Sequence, residues 1–158
     1  MEFSLSARSL DKLRGVNPNL QAVVRRAIKR TKIDFGVIEG VRTLERQQEL
    51  FDSKASQTMK SKHLADEEGF GRAVDLMAYV NGRGCWELNV YDEIADAVKE
   101  SAIEADVAVR WGCAWHIANI CDFDGSMEAA MNEYIDLRHS ENRRPFLDAP
   151  HFELNNED

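Results

Sequence analysis

An aspartate interrupts the most strand-like run in this chain, Ala73-Val74-Asp75-Leu76-Met77-Ala78-Tyr79-Val80. The run is apolar, contains β-branched and aromatic residues, and is closed by the Asn81-Gly82 turn pair, so it predicts a strand over 73–80. A carboxylate at its centre is costly to bury unless the fold brings it a partner, and a metal ion is one such partner. His63, in Ser61-Lys62-His63-Leu64, and His151, in Asp148-Ala149-Pro150-His151-Phe152-Glu153-Leu154, are candidates to share it. Two imidazoles and one carboxylate from separated segments can form three corners of a tetrahedral zinc site, with water at the fourth. Asp148, three residues before His151, is placed to take a proton from that water.

The surrounding pattern predicts what carries these groups. Pro18 to Arg30 reads as an amphipathic helix with Leu20, Val23, Val24, Ala27 and Ile28 on one face, started by Asn17 and Pro18. Phe35 to Val41 is a short apolar strand, and Thr43 to Phe51 a helix capped by Thr43. Ser53 to Lys62 and Ala65 to Gly71 read as loops. Tyr91 to Ala105 is a helix, Val107 to Trp111 a strand, and His151 to Leu154 a final short strand. Between Trp115 and Pro145 the pattern changes to a long connection with an extra helix, Ser126 to Leu137. The sum is an α+β fold: helices on a small, mainly antiparallel sheet, with a helical insert near 116–144.

The chain has 158 residues and 44% hydrophobic content, expected to form one domain over 1–158. A net charge of −8 argues against nucleic acid as a partner, since phosphate binding wants a clustered basic surface. No stretch approaches the roughly 20 apolar residues of a membrane span, and the N-terminus carries no secretory pattern. Cys85, Cys113 and Cys121 are an odd, widely spaced set, expected as reduced thiols. A monomer is expected.

Each candidate has a plain alternative. Histidines are usually surface or core residues, and no HExxH or CxxC signature is present. Arg42, after Glu39-Gly40-Val41, is either an exposed residue pairing with Glu45 or a guanidinium aimed into the cleft at a carboxylate or oxyanion. Asp122-Phe123-Asp124-Gly125 with Glu128 matches part of a calcium loop, yet lacks its full spacing and reads better as a solvated turn. His116 and His139 are taken as non-ligands, and Cys113 and Cys121 as packing residues.

In order along the chain, Ser9–Leu20, Val23–Ile28, Gly40-Val41-Arg42-Thr43, Ser61-Lys62-His63-Leu64, Gly71-Arg72-Ala73-Val74-Asp75-Leu76, Arg110-Trp111-Gly112, Trp115 and Asp148-Ala149-Pro150-His151-Phe152 resemble the zinc metallopeptidases of bacterial cell walls. That family includes D-Ala-D-Ala carboxypeptidases and phage endolysins, and the resemblance is greatest to phage L-alanyl-D-glutamate endopeptidases. It implies that His63, Asp75 and His151 bind zinc and that Asp148 is the general base. It also implies that Arg42 holds substrate or stabilises the tetrahedral intermediate, that Ser61 supports the site by a hydrogen bond, and that Trp115 contacts substrate. The implied substrate is the peptide stem of peptidoglycan, reached from the host cytoplasm once the membrane has been permeabilised. Cleavage of L-Ala-D-Glu is the expected reaction; D-Ala-D-Ala carboxypeptidase activity and an inactive wall-binding module are the alternatives. The chain departs from the family pattern twice. Eleven residues, Leu64 to Val74, separate the first histidine from the aspartate, which is longer than usual and tolerable if the loop ends stay fixed. The long segment 116–144 is expected as a lid or an added wall contact.

Overall fold

The structure is a computed structural model and describes residues 2–54 and 61–155. Among them, five helices flank a five-stranded sheet. The helices are α1 (Ala7–Leu13), α2 (Pro18–Arg30), α3 (Leu44–Asp52), α4 (Leu88–Ala105) and α5 (Met127–Ser140). The strands are β1 (Asp34–Glu39), β2 (Ala73–Val80), β3 (Arg83–Cys85), β4 (Val109–Trp111) and β5 (His151–Leu154). The strand order is β1-β2-β5-β4, with β3 also paired to β2, and the pairings are antiparallel. The expected α+β class is therefore what forms.

Local signals explain the elements. Asn17 caps α2 by accepting from the Asn19 amide, and Pro18 supplies a preset φ at the first turn. Thr43 caps α3 and Ser126 caps α5 in the same manner. The apolar face of α2 (Leu20, Val23, Val24, Ala27, Ile28) is buried against α4, which also packs on α5, β2 and β4. Alternation along β2 turns Val74, Leu76 and Ala78 into the core and leaves Asp75 and Met77 on the opposite face. Trp111 completes the core beneath β5: its indole N–H donates to the Ala149 carbonyl at 2.8 Å and its ring stacks on Phe152.

Three expectations shift. β1 stops at Glu39 rather than Val41; a bulge between Val37 and Glu39 shifts the register, and Glu39 opposite Asp75 is its last pair. The chain then crosses tightly over the end of α1, where a Cβ on Gly40 would lie 2.1 Å from the Lys12 carbonyl oxygen. The strand expected from Val107 is confined to Val109–Trp111, and α4 begins earlier than Tyr91, at Leu88. The loop expected over 53–62 falls largely on residues 55–60, outside those described.

The 116–144 segment is part of the core. Met127, Ala130, Met131 and Tyr134 of α5 are buried, and the helix packs on α4. In the turn before it, Lys99 Nζ donates to the carbonyls of Phe123 and Gly125, so the ammonium already sits where a loop-bound cation would seek oxygen. At the other end of α5, the Tyr134 hydroxyl accepts from the Phe146 amide at 3.1 Å. The insert thus buttresses the strap that runs into Asp148.

Asp92 on α4 is buried close to three other carboxylates. Burial, then Glu128, Glu93 and Asp96, push its carboxyl up to about 6. A value raised above that of the unfolded chain means that folding is favoured by protonation and loses this contribution as pH rises through about 6. Asp92→Asn is therefore expected to raise the melting temperature by a few degrees at pH 8 (about 2–4 °C per kcal/mol for a chain of this size) and to change it little at pH 4. Equal shifts at both pH values in thermal melts would contradict this.

Candidate metal centre

His63, Asp75 and His151 meet. One ligand atom from each lies within 4.8 Å of the other two, and this is the group of metal-ligating type among the described residues. The sheet register produces the convergence, since Asp75 on β2 pairs directly with His151 on β5. His63 arrives from the loop after residue 60. Its backbone is fixed by the Arg42 amide donating to the His63 carbonyl at 2.7 Å and by the Ser61 hydroxyl accepting from the His63 amide at 3.1 Å.

Both rings are oriented from behind. His63 Nδ1 bonds the Gly40 carbonyl at 2.9 Å, leaving Nε2 to face Asp75 Oδ1 at 3.2 Å. His151 is turned the other way: Nε2 lies 2.8 Å from Glu153 Oε1 and Nδ1 faces Asp75 Oδ1 at 3.3 Å. The donor set is two nitrogens and one carboxylate oxygen, mostly buried, with the far nitrogen of each imidazole held by an oxygen. That arrangement fits a zinc-type ion.

The electrostatics agree with a cation site. Burial alone raises the Asp75 carboxyl, but hydrogen bonds from His151 and His63 override it and hold the group well below the usual carboxylate range. Burial alone lowers His151, yet its bonds to Asp75 and Glu153 prevail and carry it up to about 9. Glu153 is also held low: burial opposes ionisation, and the His151 bond outweighs it. A metal ion entering this site would compete with those protons.

Arg42 is neither exposed nor paired with Glu45. Its side chain is 8% exposed, Nε contacts Glu39 Oε1 at 2.6 Å, and Nη1 donates to Gln47 at 2.6 Å and to Ser61 at 3.3 Å. Nη2 lies 4.0 Å from Asp75 Oδ2. The β1 bulge matters here, because the register brings Glu39 opposite Asp75. Ser61 thus touches both His63 and Arg42.

On the His151 side, the Trp115 ring lies 5.6 Å from His151 and stacks on Phe146, which is 45% exposed. Asp148 lies between Phe146 and His151 in sequence. Its amide donates to the Gly112 carbonyl, and its own carbonyl accepts from the His151 amide at 3.0 Å. The approach needs glycine: a Cβ at residue 112 would lie 2.1 Å from the Asp148 carbonyl oxygen. Burial raises the Asp148 carboxyl above its usual value, with Asp75 adding to the rise and the two histidines and Arg42 opposing it. Cys113 beside it stays a thiol, pushed up to about 12 by burial and by Asp148. His116 pairs with Glu133 and stacks on Tyr134, and His139 lies exposed at the end of α5.

The acidic loop after His63 folds on itself. Asp66 Oδ1 accepts from the amides of Glu68 and Phe70, and Ala65 bridges to Gly71. The longer spacing between His63 and Asp75 is absorbed there with its ends fixed. Sequence reasoning missed Glu39, Gln47 and Glu153. Only Glu153 had a readable signal, its position two residues after His151 in a strand, on the same face.

The chain is similar to known proteins over nearly its whole length. The chain is 28% identical over 158 residues to an L-alanyl-D-glutamate peptidase of Escherichia phage T5, covering 98% of this chain and 99% of that protein. The crystal structure of the Serratia marcescens L-Ala D-Glu endopeptidase ChiX superposes with a TM-score of 0.70 at 33% identity, covering 98% of this chain and 90% of that one. The model of the family described as phage L-alanyl-D-glutamate peptidase matches residues 1–155, and the chain belongs to that family.

Proposed function

We propose that the protein is a zinc-dependent endopeptidase, a single catalytic domain that hydrolyses the L-Ala-D-Glu amide in the peptide stem of peptidoglycan. The observation that carries this reading is the convergence of His63, Asp75 and His151 in a chain of this family, with Asp148 on the adjoining turn. His63 Nε2, Asp75 and His151 Nδ1 would hold the zinc ion, which would supply an acidified water and a Lewis acid for the scissile carbonyl. Asp148 takes the proton of the attacking water and returns it to the leaving amine. Its raised carboxyl suits that exchange, because a base with a higher pKa accepts the proton more readily. Arg42 holds the Asp75 side of the cleft through Glu39, Gln47 and Ser61, and its Nη2 edge offers positive charge to a substrate carboxylate. Trp115 with Phe146 lines the other side as an apolar wall. Among the described residues, no helix is long and apolar enough to cross a membrane. On this reading the protein acts at the wall, as a monomer, once the membrane has been opened to it.

Digestion of purified peptidoglycan followed by mass spectrometry tests the proposal. The expected products carry a new D-Glu amino terminus, and chelation stops their formation until zinc is restored. Release of free D-alanine instead would assign carboxypeptidase activity. Absence of any cleavage by the zinc-loaded protein would leave only a wall-binding module.

A further inference from the structure

The two imidazoles of the centre are held from behind by different groups. The oxygen behind His63 is the neutral carbonyl of Gly40, whereas His151 has the carboxylate of Glu153. Glu153 is 8% exposed. It follows His151 by two residues on β5, so strand alternation turns both side chains to one face without any further device. Its register partners are Ala73 on β2 and Arg110 on β4, and Lys62 and Arg110 act on it as nearby positive charges. A buried carboxylate so placed can accept a hydrogen bond and cannot donate one.

We propose that Glu153 is a positioning residue for the metal centre: it fixes the proton of His151 on Nε2 and so keeps the Nδ1 lone pair turned toward the ion. The inference rests on the zinc reading above. The opposite tautomer would put a proton on Nδ1, against the metal, and would lose the 2.8 Å bond. The negative charge behind the ring also makes the imidazole a stronger donor, a contribution that the Gly40 carbonyl cannot match at His63. Glutamine at 153 is the informative replacement. It keeps the size of the side chain, removes the charge, and offers both an acceptor and a donor, so it no longer distinguishes the tautomers.

The test is zinc affinity, measured by competition with a chromophoric chelator for wild type, Glu153→Gln and Glu153→Leu. Melting temperatures of the chelated proteins are recorded alongside. Glu153→Gln is expected to bind zinc about tenfold more weakly and Glu153→Leu up to about a hundredfold, while chelated Glu153→Gln stays folded and, above about pH 9 where His151 has given up its extra proton, melts close to wild type. A purely structural role would instead lower the melting temperature and leave the affinity of the folded protein unchanged. If Glu153→Leu does not fold, Glu153→Gln decides. Wild-type affinity in Glu153→Gln overturns the proposal and leaves the zinc reading standing, whereas a wild type that binds no zinc removes both.

Discussion

Asp148→Asn is expected to lower turnover of purified peptidoglycan by roughly 10²–10⁴ while the protein still carries its metal. The three atoms that converge on one point belong to His63, Asp75 and His151, so the substitution leaves them in place. The Asp148 backbone is fixed by its own bonds to Gly112 and to the His151 amide, which a side-chain change does not touch. Asparagine has nearly the same volume and creates no cavity. What it lacks is the capacity to take up a proton, and the raised carboxyl of Asp148 indicates a group that does so readily. The check pairs metal analysis of the purified variant with a rate on cell walls. Near-normal hydrolysis would strip Asp148 of its role as base. Loss of the metal together with the rate would show that it supports the ion instead.

The parts of this molecule that were legible in sequence are those in which one local rule decides. The bounds of α2 follow from Asn17, Pro18 and a regular apolar stripe, and those of β2 from a β-branched run closed by Asn81-Gly82. The site was legible for a related reason. A carboxylate inside an apolar strand is a costly placement that calls for a partner, the ordered blocks that resemble the wall peptidases mark His63 and His151 as its sharers, and the β2–β5 register supplies the meeting with His151. What was not legible depends on contacts between segments. Nothing in Glu39-Gly40-Val41-Arg42 reveals that β1 bulges before Glu39, or that Gly40 must pass against the Lys12 carbonyl, yet both set where Arg42 points. β3 is three residues without apolar alternation and exists only as the return leg of a hairpin on β2. Periodicity identified α5 but not the face it covers. Its stripe serves α4, and its Tyr134 hydroxyl holds the strap before Asp148.

Asp75→Asn is expected to remove activity and to weaken zinc binding by about a thousandfold, or about 4 kcal/mol, because the carboxylate is the only charged member of the ligand set. Its second signature lies in the pH dependence of stability, and the sign differs with and without metal. In the chelated wild type, Asp75 and His151 hold each other as an ion pair. The depressed carboxyl contributes stability above its ordinary value of 3.8 and loses it as pH falls below that. The raised imidazole contributes fully below its ordinary value of 6.5 and loses its share as pH climbs through about 9. The melting-temperature gap between chelated wild type and chelated Asp75→Asn should therefore be widest between about pH 4 and 6.5 and close toward pH 9. Zinc reverses the trend, because the ion needs imidazoles free of that proton, and the stabilisation it gives the wild type grows as pH rises. Asparagine at 75 should gain about 4 kcal/mol less than the wild type from the same excess of zinc. Thermal melts across pH 4–10, with chelator and with excess zinc, read both effects in one series. A zinc-induced shift in Asp75→Asn equal to that of the wild type would remove Asp75 from the ligand set, and a gap that widens toward pH 9 would contradict the ion pair.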